Sequence, residues 1–126
     1  MKQIIVVEDD AGILEIFDIL FKENYRVTSL EHGDVILTGL NAIPDLFIVD
    51  YRLPGYNGLE LCKYIKNHTQ FNQVPVLITS ATADIARAAM DAGADEFINK
   101  PFSIDYIRDR VDFYASRTTP VIEESL

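Results

Sequence analysis

Apolar and polar positions along this chain switch repeatedly between two periods. Ile4-Ile5-Val6-Val7 is an unbroken β-branched run, the pattern of a strand covered on both faces. Ile13, Leu14, Phe17, Leu20 and Phe21 then recur at helical spacing. Tyr25 to Leu30 reads as a second, weaker strand, and Asp34 to Leu40 as a short helix bounded by Gly33 and Gly39. A third strand, Leu46-Phe47-Ile48-Val49, follows the turn signal Pro44-Asp45. Pro54, Gly55, Asn57 and Gly58 mark a loop, and Leu59, Cys62 and Ile65 line the helix after it. Val74 to Ile78 reads as a fourth strand, with Pro75 tolerated near its start because it has no donor to offer the ladder. Asp84 is expected to cap a helix carrying Ile85, Ala89 and Ala92, which Gly93 stops. Glu96-Phe97-Ile98 is a short fifth strand. Ser103 is placed to cap a last helix with Ile104, Ile107, Val111 and Tyr114 on one face. Periodicity fades at Thr118, so a domain over 1–117 and a short tail over 118–126 are expected.

Five strands alternating with five helices form βα units. They imply an α/β fold, a parallel sheet joined by right-handed crossovers. In such folds ligands bind beyond the carboxyl ends of the strands. The residues found there are Glu8, Asp9 and Asp10 after the first strand and Asp50 after the third. Thr79 and Ser80 follow the fourth strand, and Asn99-Lys100-Pro101 the fifth.

Composition narrows the classes. The 126 residues suit one domain, and 48% apolar with 25% charged residues excludes wholesale disorder. With 11 basic against 20 acidic residues the net charge is −9, a field that repels nucleic acid and anionic membranes. The single cysteine, Cys62, precludes an intrachain disulfide, fits a reducing compartment and reads as a small core residue. No apolar run reaches the ~18 residues of a membrane helix, and no signal-peptide profile is visible. A soluble, cytoplasmic protein is the expectation. His32 and His68 lie apart from the acidic residues and are read as surface positions.

If the first and third strands are neighbours, Glu8, Asp9 and Asp50 converge. Close carboxylate pairs repel by ~1–4 kcal/mol, depending on the local dielectric. Lys100 can supply one positive charge and a divalent ion the rest. The donors are all hard oxygens, which argues for Mg²⁺ or Mn²⁺ over zinc. An open site of this kind suits a phosphoryl group, with a carboxylate oxygen attacking phosphorus in line. Each piece alone has a plainer reading. The acids could serve a helix N-terminus, Ser80 a local cap, and Lys100-Pro101 a surface turn.

Together the pieces resemble the response-regulator receiver domains of two-component signalling. The matching segments are Ile-Ile-Val-Val-Glu8-Asp9-Asp10, Phe-Ile-Val-Asp50-Tyr-Arg-Leu53-Pro54-Gly-Tyr-Asn-Gly58, Val-Pro75-Val-Leu-Ile-Thr-Ser80-Ala81 and Ala-Gly93-Ala-Asp-Glu-Phe97-Ile-Asn-Lys100-Pro101-Phe102. The resemblance spans about 1–117. It implies a flavodoxin-like, doubly wound sheet of strand order 2-1-3-4-5 flanked by five helices. It implies that Asp50 accepts phosphate from a histidine kinase or phosphotransfer protein. Asp9 would be the main metal carboxylate, Glu8 would assist through water, and the main-chain carbonyl of Arg52 would complete a Mg²⁺ shell. Lys100 would bind a phosphoryl oxygen, with a cis bond to Pro101. Ser80 would be the switch hydroxyl and Phe97 the switch aromatic, altering the face of helix four, strand five and helix five toward an effector protein. Ile13 and Leu14 stand at a rim that would dock the donor's helices. Glu8 and Ser80 are variants of the commoner Asp and Thr, and Arg52 and Thr82 stand at variable positions flanking the phosphoryl site.

Three functions compete. A phosphoacceptor switch catalyses only its own phosphotransfer and dephosphorylation, and is not an enzyme acting on separate substrates. An aspartyl phosphatase of the haloacid-dehalogenase type would need a second carboxylate two residues after the nucleophile, where this chain has Arg52. A phosphate-independent docking module usually loses an acidic residue or the lysine, whereas Glu8, Asp9, Asp50, Ser80 and Lys100 are all present here. The first reading is preferred, as a single-domain regulator or the receiver portion of a longer one, with no nucleic-acid and no membrane partner expected.

Overall fold

The computed structural model describes residues 1–117, so the expected tail lies outside the described residues. Five strands, β1 (Gln3–Val7), β2 (Arg26–Leu30), β3 (Leu46–Asp50), β4 (Val76–Ser80) and β5 (Glu96–Asn99), form one parallel sheet of order β2-β1-β3-β4-β5. The helices are α1 (Ala11–Phe21), α2 (Asp34–Thr38), α3 (Gly58–Asn67), α4 (Ala86–Asp91) and α5 (Ile104–Ser116).

The apolar runs divide between two cores by parity. Ile4, Val6, Leu46, Ile48, Leu77 and Ile98 pack against Leu14, Phe17 and Phe21 of α1 and Ile107, Val111 and Tyr114 of α5. Ile5, Val7, Phe47, Val49, Val76 and Ile78 pack against α2, α3 and α4 through Ile36, Leu61, Cys62, Ile65 and Ala89. Successive strand side chains point to opposite faces, so a sheet covered on both sides needs apolar residues at every position. Cys62 is fully buried in the second core, as the helical pattern around it predicts.

Two expectations need correction. The fourth strand begins at Val76 and extends through Ser80, later than the apolar run suggested, because Thr79 and Ser80 remain in the ladder opposite Asp50 and Asn99. Asp84 does not cap the fourth helix. It lies inside a 3₁₀ turn, Ala83–Ile85, whose cap position is Thr82, and α4 starts only at Ala86. The Ser80 side chain accepts the Thr82 N–H at 3.0 Å and bends the chain as it leaves β4, which moves the helix start downstream. The other punctuation stands where expected. Gly93 takes φ 101°, a left-handed value that favours glycine, just past α4. Ser103 accepts the Tyr106 N–H at 3.1 Å at the start of α5.

Candidate functional site

The order β2-β1-β3 makes β1 and β3 neighbours, so the residues following them meet at the carboxyl edge of the sheet. The acidic run after β1 divides there. The Asp10 carboxylate turns to α1 and accepts from the Gly12 N–H at 2.8 Å and the Ile13 N–H at 3.2 Å as its N-cap. Glu8 and Asp9 are left for the site. Glu8, Asp9 and Asp50 each offer a carboxylate oxygen, and the three atoms lie within 4.8 Å of one another. Glu8 is 3% and Asp50 5% exposed, whereas Asp9 is open to solvent. Three hard oxygen donors, two of them sunk at the end of the sheet and one reachable from outside, fit a Mg²⁺ ion that keeps part of its water shell.

Lys100 bridges the buried pair. Its Nζ lies 2.8 Å from Asp50 Oδ1 and 3.1 Å from Glu8 Oε1. Burial by itself would lower the ammonium's pKa, but hydrogen bonds and charge from Asp50 and Glu8 outweigh it, so Lys100 is held above its usual value as a cation. Glu8 shifts upward. Burial and the Asp50 charge outweigh the stabilisation from the Asp10 N–H and Lys100. A buried carboxylate pair with one lysine between them is under-compensated, which is the electrostatic condition that draws a further cation. The Lys100–Pro101 bond is cis, as the resemblance implies.

Asp50 is held from three sides. Lys100 and the Thr79 hydroxyl, which donates at 3.0 Å, share Oδ1, and the Arg52 N–H reaches Oδ2 at 3.1 Å. Gly58 allows the loop after β3 to fold this closely. A Cβ there would stand 2.4 Å from the Asp50 carbonyl oxygen, and the Gly58 N–H donates to the Tyr51 carbonyl at 2.9 Å. The Asn57–Glu60 capping box then starts α3 against that turn. A cavity of about 370 Å³, lined by Asp9, Tyr51, Arg52, Leu53, Pro54 and Asn57, opens beside the carboxylates.

The remaining expected residues take different stations. Ser80 is buried on β4, but its hydroxyl oxygen serves the Thr82 N–H, and its parity places it on the α3–α4 side of the sheet. Phe97 pairs in register with Ile78 and is half-buried against the same core. Ile13 is half-buried. With Ile16, Ala81, Lys100, Pro101 and Phe102 it lines an apolar groove of about 450 Å³. His32 is exposed, but His68 is half-buried and stacks on Phe71 with ring centroids 4.5 Å apart, so it is not a simple surface residue. Sequence reasoning missed the Thr79–Asp50 hydrogen bond. A hydroxyl in an otherwise apolar strand was the available signal, and only the Asp50–Thr79 register gives it a partner. Also missed was Glu96, which accepts from Tyr106, Arg110 and Tyr114 at 2.8–3.1 Å and ties β5 to α5.

A model of the response regulator receiver domain matches residues 4–112. The response regulator ArlR of Staphylococcus aureus is 36% identical over 115 residues, covering 88% of this chain and 51% of ArlR. The chain therefore spans about half the length of the curated relatives it matches. The BeF3-activated DrrB receiver domain superposes with a TM-score of 0.84 at 27% identity, covering 93% of this chain and 99% of the other. The receiver domain of the Francisella response regulator 1452 gives 0.81 at 28% identity, with 94% and 99% covered. The chain belongs to the response regulator receiver family, the phosphoacceptor signalling modules of two-component systems.

Proposed function

We propose that this receiver domain takes a phosphoryl group onto Asp50 from a phosphohistidine of a kinase or phosphotransfer protein, in a Mg²⁺-dependent reaction. The observation that carries the reading is the Asp50 carboxylate at the end of β3. It is buried, paired with Lys100 at 2.8 Å and within 4.8 Å of carboxylate oxygens of Glu8 and Asp9. An Asp50 oxygen attacks phosphorus, a P–O bond forms, and the donor's N–P bond breaks with its electron pair returning to the imidazole. The Lys100 ammonium follows a phosphoryl oxygen and offsets its charge. Glu8, Asp9, Asp50 and the Arg52 carbonyl would hold Mg²⁺, which when bound neutralises phosphoryl oxygens. Glu8 acts through water.

On this reading the chain is a switch with no separate substrate. Phosphorylation draws the Ser80 hydroxyl from the Thr82 N–H toward the phosphoryl group, and Phe97 turns into the space released. The face built from α4, β5 and α5 then changes for a protein effector. The groove at Ile13 receives the donor's helices. A net charge of −9 supports protein partners over nucleic acid for these residues. Among the described residues no helix is long and apolar enough to cross a membrane, and we place the domain in the cytoplasm with its kinase.

Intact mass after incubation with acetyl phosphate tests the acceptor. One phosphoryl adduct is expected with Mg²⁺, none with a chelator, and none in Asp50→Asn. An adduct that persists in Asp50→Asn would overturn the assignment.

A further inference from the structure

Thr79 stands in β4 directly across from Asp50 in the sheet register and is 2% exposed. Its neighbours Val76, Leu77 and Ile78 are buried and apolar, so nothing about the strand itself requires a hydroxyl there. The Thr79 hydroxyl donates to Asp50 Oδ1 at 3.0 Å, onto the oxygen that Lys100 also holds at 2.8 Å. Its main-chain carbonyl accepts the Tyr51 N–H at 2.8 Å, which locks the two strand ends together at this point. The hydroxyl is therefore preset at fixed length and direction. Ser80, by contrast, makes no such bond to Asp50 and serves the Thr82 N–H. The two adjacent hydroxyls have separate work.

We infer that Thr79 shortens the life of the phosphorylated state by donating its hydroxyl hydrogen bond to Asp50 Oδ1. The inference rests on the reading of Asp50 as acceptor. In hydrolysis a water oxygen bonds phosphorus and the Asp50 P–O bond breaks. Its electron pair returns to the carboxylate and the water's protons pass to inorganic phosphate and solvent. Negative charge on Oδ1 grows in that step whichever Asp50 oxygen carried the phosphoryl group. If Oδ1 carried it, Oδ1 is the leaving atom. If Oδ2 did, Oδ1 changes from a carbonyl oxygen to half of a carboxylate. A donor already aimed at Oδ1 stabilises that charge more in the transition state than in the acyl phosphate, and it does so without reorganisation. Lys100 cannot serve both oxygens equally, because it must also follow the phosphoryl group and Glu8.

The test follows adduct loss by intact mass after loading with acetyl phosphate and Mg²⁺ and removing the donor. Thr79→Val keeps the shape and removes the donor, Thr79→Ala repeats the loss in a smaller side chain, and Thr79→Ser restores the hydroxyl. Adduct lifetime in Mg²⁺ buffer is expected to lengthen about three- to tenfold in Thr79→Val and Thr79→Ala and to return toward wild type in Thr79→Ser. Once unfolded in denaturant, all four adducts should decay at one rate, since the effect belongs to the folded site. Thermal melts establish that each variant is folded, a property that a purely structural threonine would change without this pattern of rescue. An unchanged or shortened lifetime in folded Thr79→Val, or no rescue by serine, overturns the inference while leaving Asp50 as acceptor. No adduct on the wild-type protein, or one retained in Asp50→Asn, removes the acceptor reading and this inference with it.

Discussion

Cys62 shows how a single side chain is governed by its surroundings. It is fully buried between α3 and the sheet, and its thiol donates weakly to the Ala92 carbonyl at 3.6 Å. Burial pushes its pKa up to about 11, against a smaller lowering from Lys66 and a further rise from Asp95. The thiolate, the reactive form, is thus suppressed. Labelling by an aromatic disulfide reagent at pH 8 should be roughly a hundredfold slower in the native protein than in urea. The sign of the pH effect follows from the raised value. Well below pH ~9 the thiol is almost wholly protonated in both states and contributes little pH dependence. From there up to about pH 11 the unfolded chain ionises first, so stability falls as pH rises. Urea melts at pH 8 and pH 10 should show a larger loss in wild type than in Cys62→Ala. Equal losses would mean that the thiol does not titrate as its burial requires.

At the scale of elements, the consecutive acids after β1 have unlike duties. Asp10 accepts two backbone N–H groups at the start of α1, whereas Asp9 stands in the carboxylate trio and faces solvent. Asp10→Ala should cost about 1 kcal/mol of stability in urea melts and leave acetyl phosphate loading intact. Asp9→Asn should do the reverse: it relieves repulsion in metal-free protein, which becomes no less stable, and it abolishes Mg²⁺-dependent loading. Loss of loading in Asp10→Ala at full stability would reverse these roles. From the sequence the three acids are one run, of which Glu8 and Asp9 are grouped with Asp50 and Asp10 is left without a role. Their separation depends on the chain turning into α1 at Asp10, which aims one carboxylate along the helix axis and the other two across the strand ends. The misplaced cap at Asp84 has a related cause. A competing side-chain turn at Ser80 and a 3₁₀ segment intervene, and no periodicity records them.

Across the whole molecule, the parallel sheet brings residues nearly a hundred positions apart into one site, with Glu8 and Lys100 in contact at 3.1 Å. It also sets an apolar groove beside the carboxylate cluster, where Ile13 and the half-exposed Ile16 of α1 meet Pro101 and Phe102. An apolar surface next to a charged site suits a helical donor that must exclude water during transfer. Ile13→Asp should leave loading by acetyl phosphate within about twofold, because the small donor needs no groove, and should slow transfer from a histidine-phosphorylated partner by tenfold or so. Equal rates from that partner in both proteins would remove the groove from the docking surface. Hydrophobic periodicity, turn residues and the acids, hydroxyls and lysine at strand ends were enough to indicate the α/β class, most of the core and a candidate site, although Ile16, Ile19, Ile43 and Ile104, apolar positions expected inside, are exposed. These are local properties, written in the spacing of neighbouring residues. The strand order 2-1-3-4-5 came from the family resemblance and the sheet bears it out, whereas only the tertiary structure decided the register. It is the register that turns Thr79 from a strand residue into the partner of Asp50, assigns Ser80 to the opposite face, and gives Lys100 two carboxylates to bridge. Such pairings depend on how distant segments align across the sheet, and no run of adjacent residues carries that alignment.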